Sequence, residues 1–297
     1  MGAAEVIPGV SGSTGAFLTG IYEDLIHSIR SIDRHSLKLL AKFKFSDFWQ
    51  YINGGFLLTL AAGILTSLIS ISRVITYVLK YNPILIGSFF FSLILIAFPL
   101  AMREDIKKWE PAQIVCFIVA LLMAYALTFL PPVQAPRTVW FLLFTGVIVG
   151  SITFIPGISL AFILIILGQY EYATSIFFEL NIPEILIFIA GFLIGLVGFS
   201  RFLSYILGNY RKTTLALLAG FMVGSLNKVW PWREVLEYVT NRKGEQVPAY
   251  DRSILPWDYF ATTGKDPQVF QAILMMALGV FIVVLIEKIA SRLKTKI

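Results

Sequence analysis

The chain has 297 residues, of which 57% are hydrophobic and only 14% carry charge. A soluble domain carries about 25% charged residues because its surface is solvated, so the composition excludes a soluble protein and predicts an integral membrane protein. The net charge of +6 comes from Lys and Arg scattered between apolar runs, which argues against a nucleic-acid partner. The single cysteine excludes an intramolecular disulfide.

Apolar runs that could cross a membrane follow one another along the chain. A transmembrane helix needs about 20 apolar residues. Six runs approach this length: 52–72, 84–102, 112–131, 184–207, 213–229 and 269–289. Two further apolar segments, 2–29 and 138–177, are interrupted by Pro-Gly. Segment 30–50 is expected to be an interfacial amphipathic stretch, and 230–268 a polar loop against the headgroups.

The two interrupted segments repeat one pattern. The sequence IPGxS followed by GxYE occurs at 7–23 and again, without a gap, at 155–171. Positions 63–79 also pair with 191–207, at one shared offset that matches Gly, Arg, Tyr and Leu. Internal repeats of this kind are typical of transporters. We therefore predict two related halves.

The predicted repeats are 1–131 and 132–297, within a single membrane domain of residues 1–297. Each contains one interrupted segment, too short to span and so favoured as a re-entrant hairpin, and three full spans. Three crossings per repeat invert the second repeat relative to the first. One side of the membrane then holds 15 of the 24 Lys and Arg, as expected of the cytoplasmic side. If the interrupted segments spanned, the halves would be parallel instead.

The predicted fold is therefore an all-α polytopic membrane protein of two inverted repeats, each a Pro-Gly-broken re-entrant hairpin plus three transmembrane helices. A helix that restarts after such a break offers N–H groups, hydroxyls and a positive dipole end, which suit an anion. A structural kink satisfied by neighbouring hydroxyls is the alternative. Two such tips facing each other are expected to form a small anion pocket.

Two arginines extend this predicted substrate site. Arg73 and Arg201 occupy equivalent repeat positions toward the ends of apolar spans, where a guanidinium either faces a phosphate or snorkels to the interface. The candidate substrate-binding residues are Gly9, Ser11, Gly12, Ser13, Thr14, Gly157, Ser159, Arg73 and Arg201.

Three acidic residues are candidates for coupling transport to an ion or proton: Glu5, Glu23 and Glu171. Glu5 lies one turn before the first Pro-Gly, whereas the other two close the repeated GxYE and have a helix-end hydrogen bond as the alternative role. No His, Asp and Cys set has metal-ligand spacing, and no phosphate-binding nucleotide loop occurs. We therefore predict no metal, no cofactor, no catalytic residue and no ATP-driven transport.

The opening GAAEVIPGVSGSTGAFLTGIYEDLI and the later FIPGISLAFILIILGQYE resemble the two signatures of the DUF368 family of bacterial polyprenyl-phosphate translocases. The likeness covers nearly the whole chain. It implies a multi-pass flippase of the bacterial cytoplasmic membrane that returns undecaprenyl phosphate from the outer to the cytoplasmic leaflet. It also implies carrier-lipid recycling for cell-envelope synthesis, with both motifs on re-entrant hairpins.

Two departures from the family pattern bear on this resemblance. Leu160 and Ala161 stand where the second signature usually has a small polar pair, so we expect the second tip to contact a head group less closely. Family members usually have a short basic helix before the first motif, in the place that 138–149 takes in the second half. We therefore expect the N-terminus to be shortened or its start misassigned.

Moving an anion inward opposes the membrane potential by about 2.3 kcal/mol per charge per 100 mV, which predicts cotransport of a cation or proton, with Glu5 and Glu23 as carriers. The sequence leaves the coupling ion, the lipid chain length and the oligomeric state open. The leading alternative is a secondary transporter of a small soluble anion. A membrane enzyme acting on polyprenyl lipids and a non-transporting scaffold follow in that order.

Overall fold

The computed structural model describes residues 1–5, 10–102, 109–133, 135–240 and 246–294. Most of the described residues are helical. The chain has long runs of Leu, Ile, Phe and Ala, and in an apolar environment a helix satisfies the backbone hydrogen-bonding groups of such a run internally. The helices described before residue 131 are α1 (Gly2–Glu5), α2 (Gly12–Thr19), α3 (Tyr22–Arg30), α4 (Arg34–Ala41), α5 (Phe45–Tyr51), α6 (Gly54–Tyr81), α7 (Pro83–Met102) and α8 (Pro111–Leu127).

The second part of the chain also begins with short helices followed by a long one, and it contains a β-hairpin. Its elements are α9 (Val139–Ile152), α10 (Leu160–Ile166), α11 (Tyr170–Phe178), α12 (Ile182–Val229), β1 (Arg233–Thr240), β2 (Gln246–Ser253), α13 (Pro256–Thr263) and α14 (Val269–Lys294).

Two described helices are long and apolar enough to cross a membrane, Gly54–Leu79 and the 48-residue Ile182–Val229, and α10 with α11 form a pair bent by 116°. Four shorter apolar helices accompany them: Pro83–Ile96, Pro111–Leu127, Val139–Ile152 and Val269–Leu285. Helix α12 covers both predicted spans 184–207 and 213–229. Its backbone is non-helical at Tyr210 (φ −133°, ψ 44°), which is where the sequence separates the two runs.

The repeated motif has the same local structure in both halves. Ser11 and Ser159 each adopt an extended backbone and cap a helix, α2 and α10, by accepting from the N–H three residues on. Gly20 and Gly168 then end these segments in the left-handed region, at φ 74° and 62°. Only glycine enters this region without steric cost, which explains why both copies have it.

A close helix contact is also shared by the two halves. A Cβ added at Gly2 would lie 2.6 Å from the carbonyl oxygen of Ile64, and one at Gly150 would overlap the carbonyl oxygen of Phe192. These are equivalent pairs under the alignment that matches the two motifs and the following spans. The short helix before each Pro-Gly therefore packs backbone-to-backbone against the first long helix after it.

Helix α12 is held by glycines spaced four apart, as in many transmembrane helix pairs. Gly191 and Gly195 lie directly against the backbone of α9, where a Cβ at Gly195 would overlap Val147 O and lie 3.0 Å from Ser151 N. The glycines at 220 and 224 face α8 in the same way. This packing fixes the first segment of α12 against α9, which leads into the second motif, and its second segment against α8.

The segment 230–268 differs from its prediction as a connecting loop, and the all-α class is wrong at this point. Strands β1 and β2 pair antiparallel, and α13 follows them. The sequence REVLEYVT of β1 is rich in β-branched and aromatic residues that favour a strand. Trp232 is buried, whereas Trp257 is 73% exposed and available to the membrane interface.

Candidate functional site

The first motif brings Glu5 of α1 against the start of α2. The Gly12 N–H donates to the Glu5 carboxylate at 2.7 Å, and the Thr14 N–H donates to the Ser11 hydroxyl. Ser11 also lies 2.8 Å from the Ser13 hydroxyl, and all three hydroxyl residues are at least 97% buried. The Glu5 carboxylate thus occupies the start of α2, where an anion is favoured. Gly9 lies outside the described residues.

The second motif lies at the tip of a hairpin made by α9 and α10. The Val133 N–H donates to Ile166 O at 2.9 Å, so the segment that leads into α9 and the end of α10 lie side by side. Between the two helices, Gly157 adopts φ 89°, and a Cβ there would overlap the Ser225 hydroxyl of α12. Ser159 caps α10 at the far side of this turn.

The two motifs meet each other directly. The Ser13 hydroxyl donates to Ile155 O at 3.1 Å, and the Gly157 N–H donates to the Thr14 hydroxyl at 2.8 Å and to the Ser11 hydroxyl at 3.2 Å. We call this contact between Ser11, Ser13, Thr14 and the backbone of 154–157 the motif junction. It joins residues more than 140 positions apart in sequence.

The motif junction is asymmetric. The first motif contributes side-chain hydroxyls, which can both donate and accept, and the second contributes backbone N–H and C=O groups. The three hydroxyls are bonded to one another or to the second motif, so the junction is closed. The structure therefore brings together Ser11, Gly12, Ser13, Thr14 and Gly157 of the predicted site, with Ser159 two residues beyond.

The two predicted arginines lie away from the motif junction. Arg201 is exposed and donates to the carbonyl oxygen of Ile32 at 3.0 Å, which ties α12 to the segment after α3. Arg73 is exposed on α6 and makes no hydrogen bond or ion pair with the residues the structure describes. The two equivalent repeat positions therefore differ: Arg201 has a backbone partner because the segment after α3 meets α12.

The other two acidic candidates, Glu23 and Glu171, each lie beside an arginine. Glu23 accepts from Arg211 at 2.7 Å, and Glu171 lies 3.8 Å from Arg137, with both of the latter side chains 69% exposed. Both carboxylates keep access to solvent, because the side chains of Glu23 and Glu171 are 34% and 69% exposed. Of the three acidic residues, Glu5 is the one placed beside the motif junction.

Sequence reasoning missed one residue that binds the second motif beside the motif junction. Tyr22 is 97% buried, and its hydroxyl donates to Phe154 O at 2.6 Å. The repeated Tyr-Glu was the available signal, but its second copy, Tyr170, is 43% exposed. The repeated tyrosine is therefore buried at the contact between the motifs in the first half, but its counterpart in the second half is exposed.

An apolar groove opens beside the first motif, between α6 and the α1–α3 region. Its volume is about 380 Å³, and its walls come from the N-terminal residues and one face of α6. The lining residues are Met1, Gly2, Ile21, Phe56, Thr59, Leu60, Gly63, Ile64 and Ser67. A Cβ at Gly63 would touch nothing, whereas the equivalent Gly191 is covered by α9.

No group of three or more His, Cys, Asp and Glu is placed to hold a metal ion among the described residues. Long apolar helices, two of them of membrane-crossing length among the described residues, indicate a helical membrane protein. A sequence model of the VCA0040-like family, described as undecaprenyl phosphate translocase-like, matches residues 1–247. The chain belongs to this family, as the signatures predicted. The family name describes translocation, which fits the prediction that the chain is not an enzyme.

Two curated relatives carry the same name, polyprenyl-phosphate transporter. The protein from Vibrio cholerae serotype O1 is 38% identical over 292 residues, covering 98% of this chain and 94% of the relative. The protein from Staphylococcus aureus is 29% identical over 250 residues, covering 78% and 83% of the two chains. No solved structure matches the chain significantly.

Proposed function

We propose that the chain moves a polyprenyl monophosphate, undecaprenyl phosphate, across the bacterial cytoplasmic membrane, from the outer to the inner leaflet, for reuse of the carrier lipid. The observation that carries the proposal is the motif junction, a buried set of hydroxyls and backbone groups at the meeting point of two helix breaks. The family membership and the names of the two curated relatives support the substrate class.

The head group would bind where the motif junction opens. A phosphate monoester carries three oxygen acceptors and about −1.5 to −2 charges at pH 7. The hydroxyls of Ser11, Ser13 and Thr14 and the N–H groups of Gly12 and Gly157 are the donors within reach of one such group. Each now bonds another part of the junction or Glu5, so binding exchanges internal partners for phosphate oxygens. Arg73 and Arg201, both exposed, would meet the phosphate as it enters or leaves.

The lipid tail would lie in the apolar groove beside α6. The groove touches the first motif at Ile21 and opens along the exposed face of α6 that carries Gly63. An isoprenoid chain there stays in an apolar environment while its phosphate reaches the junction. This lateral opening favours a lipid over a small soluble anion, which needs no such groove.

The hairpin of α9 and α10 supports the inverted, re-entrant topology. Its two ends are hydrogen-bonded, and α10 is only seven residues long, about 10 Å at 1.5 Å per residue, against about 30 Å of hydrocarbon. Each hairpin would enter from its own side, and the tips would meet near the membrane centre. With Cys116 replaced, single cysteines at positions 137 and 179 should react with an impermeant thiol reagent from the same side.

The experiment that tests this function is binding of undecaprenyl phosphate to the purified protein. The wild type should bind the lipid phosphate, and Ser13→Ala should weaken binding about tenfold. A hydrogen bond to a charged group contributes about 1.5–3 kcal/mol, more than the neutral bond to Ile155 O that it replaces. Ser70→Ala is the matched control, because among the described residues its hydroxyl bonds Thr66 O within α6 and nothing else.

Arg73→Ala and Arg201→Ala belong to the same assay and should also lose affinity. Wild-type protein that ignores the lipid but binds inorganic phosphate would contradict the proposal and favour a transporter of a small soluble anion. Formation of a dephosphorylated product in detergent would favour an enzyme instead.

Transport is expected to depend on an ion gradient, with Glu5 as the carrier nearest the junction. A phosphate entering at Gly12 would displace the Glu5 carboxylate, and a proton or cation accompanying Glu5 offsets the resulting repulsion. Collapse of both the proton and the sodium gradients should therefore slow flipping in proteoliposomes. In the Glu5→Gln variant, the flipping rate should be the same with and without the gradients. Flipping that is indifferent to both gradients would remove the coupling hypothesis but not the transport function.

A further inference from the structure

A second cationic site lies beside the second motif, outside all predicted site residues. Lys228, in the last turn of α12, lies 2.8 Å from the Asp251 carboxylate, and Arg233 reaches the same carboxylate at 2.6 Å. The side chains of Lys228, Arg233 and Asp251 are 18%, 15% and 21% exposed. We call these three residues the hairpin triad, after the β-hairpin of β1 and β2 that carries Arg233 and Asp251.

The hairpin triad holds two positive charges against one negative charge. Arg233 alone satisfies Asp251, because its Nε and Nη2 donate to the two carboxylate oxygens in the bidentate geometry that suits this pair. Burial raises the pKa of Asp251, but the hydrogen bonds and charges of Arg233 and Lys228 outweigh it and hold that pKa below its ordinary value. Asp251 is therefore ionised at neutral pH, and Lys228 is the surplus cation.

A partly buried surplus charge is costly unless an anion joins it. Among the described residues, Lys228 shares its ammonium with Asp251 only, which leaves further N–H donors for another acceptor. The net charge of the described triad is thus +1 in a site that is about four-fifths buried. An anionic ligand would complete it.

The triad is placed against the second motif. The Lys228 ammonium lies 5.2 Å from the ring centroid of Phe162, in the first turn of α10. Three residues earlier on α12, Ser225 lies against Gly157 at the motif junction, and the same face of α12 carries both residues. A ligand moving from the β-hairpin towards the motif junction would therefore pass Lys228.

We propose that Lys228 is a phosphate-binding residue that receives the head group of the lipid substrate beside the second motif, with Arg233 holding Asp251 as the internal counter-ion. The inference rests on the proposed function and adds a residue to it. It also assigns a role to the β-hairpin, which fixes Asp251 at the end of α12. The second motif, poor in hydroxyls, thereby obtains a cation from a neighbouring element.

The test compares undecaprenyl phosphate with uncharged undecaprenol, using the full chain in detergent. Lys228→Gln should weaken binding of the phosphate about tenfold, as expected for loss of one charge-assisted bond, and leave binding of undecaprenol unchanged. Lys228→Arg should restore most of the affinity. Lys265→Gln is the matched control, because it removes an exposed lysine from the same part of the chain.

The outcomes separate this inference from the proposed function. If Ser13→Ala weakens binding but Lys228→Gln does not, the inference fails and the function stands. If Lys228→Gln weakens both lipids equally, Lys228 only supports the fold and the inference is again overturned. If the wild type binds no lipid phosphate, both fall together.

Discussion

Gly157→Ala is expected to abolish transport, because the second motif could no longer reach the first. The substitution places a Cβ at φ 89°, against the Ser225 hydroxyl and 3.1 Å from Met222 Cα. The left-handed backbone costs an L-residue about 1–2 kcal/mol, and overpacking costs about 1–3 kcal/mol more. Rotation of Ser225 cannot relieve the contact with the backbone of α12. The Gly157 N–H would then lose its bonds to the first motif.

The control for this change is Gly20→Ala. Gly20 also has a positive φ, 74°, but its added Cβ would meet no atom within 4 Å. This variant carries the backbone cost alone and should retain most transport. The measurement is the rate of undecaprenyl phosphate flipping in proteoliposomes, beside thermal unfolding of each variant in detergent. Equal losses in the two variants would mean that backbone strain, and not closure of the junction, governs the result.

Gly195→Ala should destabilise the protein by about 2–3 kcal/mol, as expected for overpacking a tight helix contact. The new Cβ would overlap the carbonyl oxygen of Val147, which is backbone and cannot rotate away. Helices α9 and α12 must therefore separate, and the hairpin tip at Gly157 moves with α9. A lower unfolding temperature in detergent and weaker binding of undecaprenyl phosphate are both expected.

Three residues further along the same helix, Gly198 offers a matched comparison. Its added Cβ would meet nothing within 4 Å, so Gly198→Ala tests only the helix propensity of alanine. Alanine is favoured over glycine within a helix by about 1 kcal/mol, so this variant should be as stable as the wild type or more so. A similar loss of stability in both variants would contradict the proposed role of the α9–α12 contact.

The local features of the motifs were predictable because they depend on short-range chemistry. Ser caps a helix start and Gly ends one wherever the chain turns, so Ser11, Ser159 and the two left-handed glycines follow from the pattern. The long helices α6, α7, α8, α12 and α14 follow the apolar runs of the sequence. The break at Tyr210 was predictable in the same way, because it lies between two apolar runs.

The partners of charged side chains could not be predicted, because they depend on which elements meet in space. Arg201 binds the carbonyl of Ile32 only because the segment after α3 lies against α12. Lys228 stood at the end of an apolar run, where interfacial snorkelling explains a lysine without any ligand. Its surplus charge became visible only when the hairpin placed Arg233 and Asp251 beside it.

The closed motif junction has a consequence for leakage. Three donors from Ser13, Tyr22 and Gly157 hold the two motifs together, each contributing about 1 kcal/mol, so an empty protein would open in on the order of one molecule in a hundred. A carrier of the proposed kind would then remain closed between turnovers and conduct neither protons nor small ions. A phosphate that replaces these bonds supplies the opening energy itself. Such a carrier would leave the membrane potential intact while the lipid waits in either leaflet.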